Sequence, residues 1–162
     1  MPSQSSLYVA LYQIGLGRYH WALVVTPYNG PVNNGPLFQI TNQDISQPRS
    51  IGAWRKSHKM STDLLKSSSF VGCVRLPDCT ISAQHMTAWI AEQDPQQGDT
   101  QLPVGQEWSC SQWVIRVLQR LMETGIYRVD LRHFRAKILI HANNLSQMHN
   151  RNANQLHTVV YA

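Results

Sequence analysis

Cys110 is the residue whose type and position best suit covalent chemistry. Ser109 and Gln112 form a Ser-x-x-Gln capping box, which predicts a helix that begins at Cys110. The first turn of a helix carries the positive end of its dipole and unpaired N–H groups, and both favour a thiolate over a thiol. The sequence therefore predicts a cysteine nucleophile at a helix tip.

Two polar residues earlier in the chain could activate this cysteine. His20 begins one predicted strand, and Gln39 lies in the next. If these strands pair, the two side chains lie side by side on the face over which the helix of Cys110 packs. The imidazole could then take the thiol proton, while the glutamine orients the ring and fixes its tautomer. We therefore predict a site made of Cys110, His20 and Gln39.

A structural role stays open for each cysteine. Cys110 lies three and four residues before Trp113 and Val114 on an apolar helical stripe, where a cysteine is more often a core residue than a nucleophile. Cys73 falls inside a predicted strand and Cys79 in a turn, so we interpret both as structural. An odd number of cysteines without a Cys-x-x-Cys pair predicts neither a disulfide framework nor a zinc site.

The surroundings of these residues resemble the circularly permuted papain-like thiol enzymes. The resemblance rests on Tyr19-His20-Trp21-Ala22-Leu23-Val24-Val25, on Leu37-Phe38-Gln39 and on a cysteine ninety residues after the histidine. The branch in question is that of lecithin:retinol acyltransferase-like proteins, relatives of the NlpC-type peptidases. The resemblance implies that Cys110 is the nucleophile, that His20 is the base and that Gln39 takes the place of the third polar member.

The resemblance also implies a tetrahedral oxyanion that is held partly by the backbone N–H of Cys110. We expect a substrate cleft beside it, with residues 42–66 as one wall. The residues that we predict to assist the oxyanion or border the cleft are Arg18, Tyr19, Trp21, Trp54 and Trp108.

Hydrophobic periodicity predicts the elements that hold this site. Residues 6–16 alternate like a strand with one buried face, and strands at 20–26 and 37–41 complete an antiparallel meander. Residues 42–67 predict a long loop around a small element anchored by Trp54, and residues 68–76 predict another strand. A helix capped by Thr80 runs toward Glu92, and the helix from Cys110 ends before Gly125.

The last segment of the chain is less regular in pattern. Residues 131–140 fit a helix or a strand, residues 143–154 predict a loop, and residues 158–161 a final edge strand.

Taken together, these elements predict an α+β fold with an antiparallel sheet packed against helices. With the resemblance described above, we expect a single permuted papain-like (NlpC-type) domain of residues 1–162. A polar, basic C-terminal extension would begin at about residue 126.

Charge and composition narrow the classes of partner. The net charge of +5 lies wholly in residues 113–162, which carry seven basic and two acidic residues, so this basic C-terminal segment could dock an acidic partner. Nucleic-acid binding is not expected as the main role, because no motif that reads bases is present. Without an apolar run of about 20 residues or a signal-peptide pattern, we expect a cytoplasmic protein with no transmembrane segment.

Neither a metal site nor a cofactor is predicted. Four histidines recur every eight residues, at His133, His141, His149 and His157. Eight steps along a helix rotate the face by about 80°, and no carboxylate or cysteine joins the histidines at ligand spacing.

These residues predict a thiol hydrolase or acyltransferase that forms a thioester on Cys110. Its substrate would be an amide, a peptide or isopeptide bond as in a thiol protease, or an acyl compound. The alternative is a non-catalytic binding module on the same scaffold, in which Cys110 is buried and inert and the basic C-terminal face docks an acidic partner.

Overall fold

A five-stranded sheet forms the centre of the fold in the computed structural model, which describes residues 2–43 and 51–162. Residues 44–50 of the predicted long loop lie outside the described residues. The strands in chain order are β1 (Ser5–Gly15), β2 (Arg18–Pro27), β3 (Leu37–Phe38), β4 (Ile40–Gln43), β5 (Ile51–Lys56), β6 (Phe70–Arg75) and β7 (Thr158–Val160).

The central sheet has the strand order β3-β2-β1-β6-β7. Its first four strands pair antiparallel, which confirms the predicted meander of the first three strands. The predicted strand at 37–41 is divided, because Leu37–Phe38 pairs with β2 whereas the residues from Ile40 onward belong to a second sheet. The predicted edge strand at the C-terminal end is also confirmed, but β7 runs parallel to β6, and the sheet is therefore antiparallel except at this edge. With helices packed on the sheet, the fold is α+β.

Both faces of β1 are buried, so the prediction of a single buried face is wrong. Leu7, Val9 and Leu11 join the main core, whereas Tyr8 and Ala10 face the opposite side. That second face is covered partly by the 3₁₀ turn Leu64–Lys66, whose first leucine is almost fully buried. A strand that is covered on both faces carries apolar residues on both, so its sequence is a nearly continuous apolar run. An alternation with a period of two therefore does not show whether one of its faces is exposed to solvent.

Three helices pack on the sheet: α1 (Ala83–Ala91), α2 (Cys110–Glu123) and α3 (Phe134–Arg151). Helix α2 contacts β2, and α3 contacts β6. Helix α1 begins after Ser82, whose hydroxyl accepts from the His85 N–H, and not after the predicted cap Thr80. None of the described helices is long and apolar enough to cross a membrane.

Helix α3 continues through most of the stretch predicted as a loop. Ile138, Ala142 and Leu145 recur at spacings of four and three and are fully buried in the main core. The contact with β6 is close at Gly72, where an added Cβ would lie 2.7 Å from the Leu145 Cδ2 atom. The loop prediction for 143–154 is therefore wrong up to Arg151, and the basic C-terminal part of the chain contributes to the core.

A small second sheet occupies part of the predicted loop 42–67. Strands β4 and β5 pair antiparallel, with Thr41 opposite Arg55. Beyond β5, Lys59 pairs with Leu37 through both of its backbone groups. The small element predicted around Trp54 is strand β5, whereas the 3₁₀ turn lies in a stretch predicted as loop. The small sheet places Trp54 beside the site described next.

Candidate active site

The start of α2 has the geometry that its sequence predicts. Ser109 has an extended backbone, and its hydroxyl accepts from the Gln112 N–H at 3.5 Å, so Cys110 is the first residue of the helix. Trp113 and Val114 are fully buried against the sheet. Burial of side chains of this size stabilises a fold by about 1.5–3 kcal/mol each. These contacts hold the tip of α2, and with it Cys110, over the beginning of β2.

A buried arginine secures the loop that precedes α2. The Arg116 guanidinium donates to the carbonyl oxygens of Asp94 and Gln96, the latter at 2.7 Å, and to the Thr100 hydroxyl at 2.9 Å. The Trp113 indole N–H donates to the same Asp94 carbonyl at 3.1 Å. Hydrogen bonds from a charged donor are stronger than those between neutral groups. The Arg116 guanidinium therefore holds the loop against α2.

Trp108 belongs to this support and does not line the cleft. Its side chain is 9% exposed, and its indole N–H donates to the Pro95 carbonyl at 2.9 Å. The Arg116 guanidinium carbon lies 4.4 Å from the ring centroid, as in a cation–π contact. The sequence predicts that Trp108 borders the cleft, but its ring packs in the core against the guanidinium of Arg116 on α2.

Cys110 meets β2 where the edge of that strand is open. Strand β3 pairs with β2 at Leu23 and Val24, and within residues 2–43 and 51–162 no strand pairs with the earlier residues of β2 on that side. The Trp21 N–H donates to Cys110 Sγ at 3.4 Å, and the Ser111 N–H also donates to this sulfur. Two backbone donors thus face the sulfur and favour its negative form.

Gln39 holds the His20 ring in one tautomer. The amide nitrogen of Gln39 donates to the Ser57 carbonyl at 3.1 Å, so its oxygen is the atom that faces the imidazole. His20 Nε2 lies 2.7 Å from this Oε1 and must carry the hydrogen, because an amide oxygen only accepts. The other ring nitrogen, Nδ1, is thereby left without a hydrogen and can accept the proton of the Cys110 thiol.

The backbone of Gln39 is fixed by the segment after β5. The Ser57 N–H donates to the Gln39 carbonyl at 2.9 Å, and the Gln39 N–H donates to His58 Nδ1 at 3.0 Å. Burial and the charge of Lys56 lower the pKa of His58, which keeps Nδ1 free to accept. Every polar group of Gln39 is therefore engaged, and its side chain has little freedom to leave the imidazole.

Cys110 and His20 shift each other's pKa in opposite directions. Burial raises the pKa of Cys110, but the hydrogen bond and charge of His20, together with the two N–H donors, bring it below its ordinary value. Burial lowers the pKa of His20. Cys110 raises it through a hydrogen bond and through its charge, and Gln39 raises it through a hydrogen bond, so that the pKa of His20 lies above its ordinary value. Both shifts favour a thiolate–imidazolium pair that titrates as a unit.

The other two thiols have the opposite character. Burial raises the pKa of Cys73, which is fully enclosed, and it raises the pKa of Cys79 to about 11. Their side chains lie in the core, as the sequence predicts. Cys110 is thus the one thiol of the three with a lowered pKa.

A cavity of about 1500 Å³ opens beside the thiol and the imidazole. Cys110, His20 and Gln39 all line it. Of the residues predicted for the cleft, Arg18, Tyr19, Trp21 and Trp54 line it as well. The Tyr19 hydroxyl is turned toward α3 and donates to Asn143 Oδ1 at 2.8 Å.

Several residues of the site could not be found from the sequence. Ser57 and His58 hold Gln39, and Gln106 and Arg135 line the cavity from the loop before α2 and from α3. No short motif marks them, because they reach the site through pairings between distant segments. Only the pairing of residues 57–59 with 37–39 identifies the first two.

The other features considered lack the reactive side chains of this site. A second cavity, of about 600 Å³, is lined around Pro77, Met122 and Tyr127 by residues that include neither cysteine nor histidine. No group of three or more metal-ligating side chains occurs within residues 2–43 and 51–162.

Comparison with known proteins places this site in a family without an assigned reaction. Residues 4–147 match a protein family whose description is "Family of unknown function (DUF6914)". No curated protein and no solved structure matches the chain.

Proposed function

The chain belongs to this family of unknown function, DUF6914, and we propose that it is a thiol hydrolase or acyltransferase with Cys110 as nucleophile. His20 is the base in this proposal, and Gln39 is the residue that positions it. The observation that carries the proposal is the meeting of Cys110, His20 and Gln39 at one cavity, where His20 lowers the pKa of the Cys110 thiol while burial raises the pKa of the other two thiols.

In the first step, the Cys110 thiolate attacks a carbonyl carbon of the substrate and a C–S bond forms. The carbonyl π electrons move to oxygen and then return, and the C–N or C–O bond to the leaving group breaks. The His20 imidazolium gives its proton to the leaving nitrogen or oxygen. The products are an amine or alcohol, a neutral imidazole and a thioester on Cys110.

In the second step, a water molecule or another acceptor attacks the thioester carbon. Neutral His20 takes the proton of the attacking O–H or N–H, and the C–S bond breaks. The acyl group leaves as an acid, or as the ester or amide of the acceptor, and the thiolate–imidazolium pair is restored. The hydrogen bond to Gln39 keeps the ring nitrogen aimed at the reacting atoms in both steps.

The start of α2 supplies a donor for the oxyanion. Cys110 is the first helical residue, and the N–H groups of the first turn have no acceptor within the helix. Its own N–H lies next to its sulfur and is thus suited to a carbonyl oxygen under attack by that sulfur. The positive end of the helix dipole acts on the same oxygen.

We further propose a permuted papain-like scaffold for this site. The order of its parts supports the proposal: a histidine on β2, a polar partner just after β3, and last a cysteine at the tip of a helix packed on β2. The acyl group would come from an amide, a peptide or isopeptide bond, or an ester, and the cavity has room for several residues of a peptide or a compound of similar size.

The pH dependence of alkylation tests this proposal. The chain is treated with iodoacetamide over a range of pH, and each cysteine is followed by peptide mass spectrometry. Cys110 should react well below the pH at which an ordinary thiol ionises, because its pKa is lowered, whereas Cys79, with a pKa raised to about 11, should react only in alkaline solution. A Cys110 that reacts no earlier than an ordinary thiol is an inert core residue, as a non-catalytic binding module would have, and overturns the proposal.

A further inference from the structure

The cavity beside Cys110 is lined by cations from three different elements. Arg18 begins β2, Arg55 and Lys56 end β5, and Arg135 lies in the first turn of α3. None of the described residues that line the cavity is acidic. Only one of the four cations, Arg135, comes from the basic C-terminal segment 113–162. The fold therefore brings together charges that are separate in the sequence.

These cations remain available to a ligand. Arg18, Lys56 and Arg135 are exposed, and Arg55 is half-buried and donates to the Gln43 carbonyl. Three cations elsewhere form ion pairs, Arg75 with Asp78 and both Arg132 and Lys137 with Asp130. Within the described ranges no such ion pair involves a cation of the cavity.

Like charges around one cleft act together on an approaching ligand. A cleft with low-dielectric walls focuses the field of its charges, raises the local concentration of counter-ions and speeds their association. The His20 imidazolium adds to the field when the pair with Cys110 is charged, although the thiolate balances it. An anion in the cleft would relieve the repulsion among the four cations, while a cation would add to it.

We propose that this cleft selects acyl substrates that carry an anionic group, a carboxylate or a phosphate, near the carbonyl that Cys110 attacks. The inference rests on the proposed function, because it names the substrate class of the same site. Arginine is well suited to this task, since its planar guanidinium binds both kinds of anion through two parallel hydrogen bonds.

Two alkylating agents that differ in charge test the selection without any knowledge of the substrate. Iodoacetate is an anion, and iodoacetamide is neutral and of nearly the same size. The measured quantity is the ratio of their rates at Cys110 at low ionic strength, in the unaltered chain and in the variants Arg18→Gln and Arg135→Gln. The control is Arg151→Gln, which removes the same charge from the same helix about 24 Å farther along its axis.

Each cavity variant should lower the iodoacetate to iodoacetamide ratio about two- to threefold, and the double variant roughly by the product of the two effects. Added salt should lower the ratio in the unaltered chain, because it screens the cleft cations. Arg151→Gln should leave the ratio unchanged. A ratio that is the same in the double variant and in the control overturns the inference, although the proposed function survives if Cys110 still reacts as a thiolate. A Cys110 that shows no thiolate reactivity with either agent overturns both.

Protection experiments separate the two sources of the anion. Inorganic phosphate, succinate and the neutral succinamide are each added during alkylation by iodoacetamide. Protection by phosphate alone identifies a phosphate ligand, and protection by succinate alone identifies a carboxylate. Succinamide should not protect, and equal protection by succinamide and both anions contradicts a selection by charge.

Discussion

Replacing His20 with alanine should raise the pKa of the Cys110 thiol. The hydrogen bond and charge of the imidazole are the largest influences that oppose burial at this sulfur. A hydrogen bond to a charged group contributes about 1.5–3 kcal/mol, so its loss should make ionisation of the thiol about ten- to a hundredfold less favourable. After the substitution, only the N–H groups of Trp21 and Ser111 still stabilise the thiolate against burial.

The midpoint of the alkylation profile measures this shift better than a single rate. A thiolate of higher pKa is also a better nucleophile, which offsets about half of the lost thiolate fraction at low pH. A thiol with a lowered pKa loses its proton at a lower pH. Because the substitution raises the pKa of Cys110, the midpoint of alkylation in the variant should lie at a higher pH. Peptide mapping after iodoacetamide treatment follows Cys110 alone.

Two controls accompany this variant. His85→Ala removes an exposed histidine on α1 that does not line the cavity, and it should leave the Cys110 midpoint unchanged. Cys73 and Cys79 should stay unreactive at neutral pH in both variants, which shows that the core is intact. An unchanged midpoint in His20→Ala, with the core intact, would refute the claim that this histidine activates the thiol.

Three further substitutions test the support of the site. Gln39→Ala should slow acylation by a nitrophenyl ester roughly tenfold, because the imidazole loses the oxygen that orients it, and an unchanged rate would contradict that role. Arg116→Met should lower the free energy of unfolding in urea by roughly 2 kcal/mol, whereas Arg120→Met, one helical turn farther on, should change it by less than about 0.5 kcal/mol; equal effects would count against the buried contacts. Gly72→Ala should destabilise the fold by about 1–3 kcal/mol, because the new Cβ would meet a backbone oxygen at 2.8 Å, while Gly52→Ala, which has ordinary space, should be nearly neutral in the same measurement.

Local signals in the sequence predicted the parts of the site that depend on local interactions. The start of α2 follows from Ser109 and Gln112, because a capping box involves residues only three apart. The pairing of β1 with β2 follows from alternation and a short turn. The structure then brings Cys110, His20 and Gln39 to one cavity, as those elements require.

The errors occur where tertiary contacts decide. The Asn-rich stretch of α3 has weak helix propensity, yet Leu145 and Ala142 continue the buried face of the helix against the sheet. Ser82 replaces Thr80 as the cap of α1, because the two hydroxyl residues are close in sequence and only the final packing selects one of them. The charge of the cleft is equally hidden, since its cations come from three segments that lie far apart in the sequence.

The most direct test of the central claim is the acyl-enzyme itself. The chain is mixed with nitrophenyl acetate, nitrophenolate release is followed from the first milliseconds, and the protein is then analysed by intact mass and peptide mapping. We expect a burst of about one nitrophenolate per chain, with one acetyl group on Cys110, and neither in Cys110→Ala. The same release in Cys110→Ala, or acetyl groups on lysines alone, would contradict it.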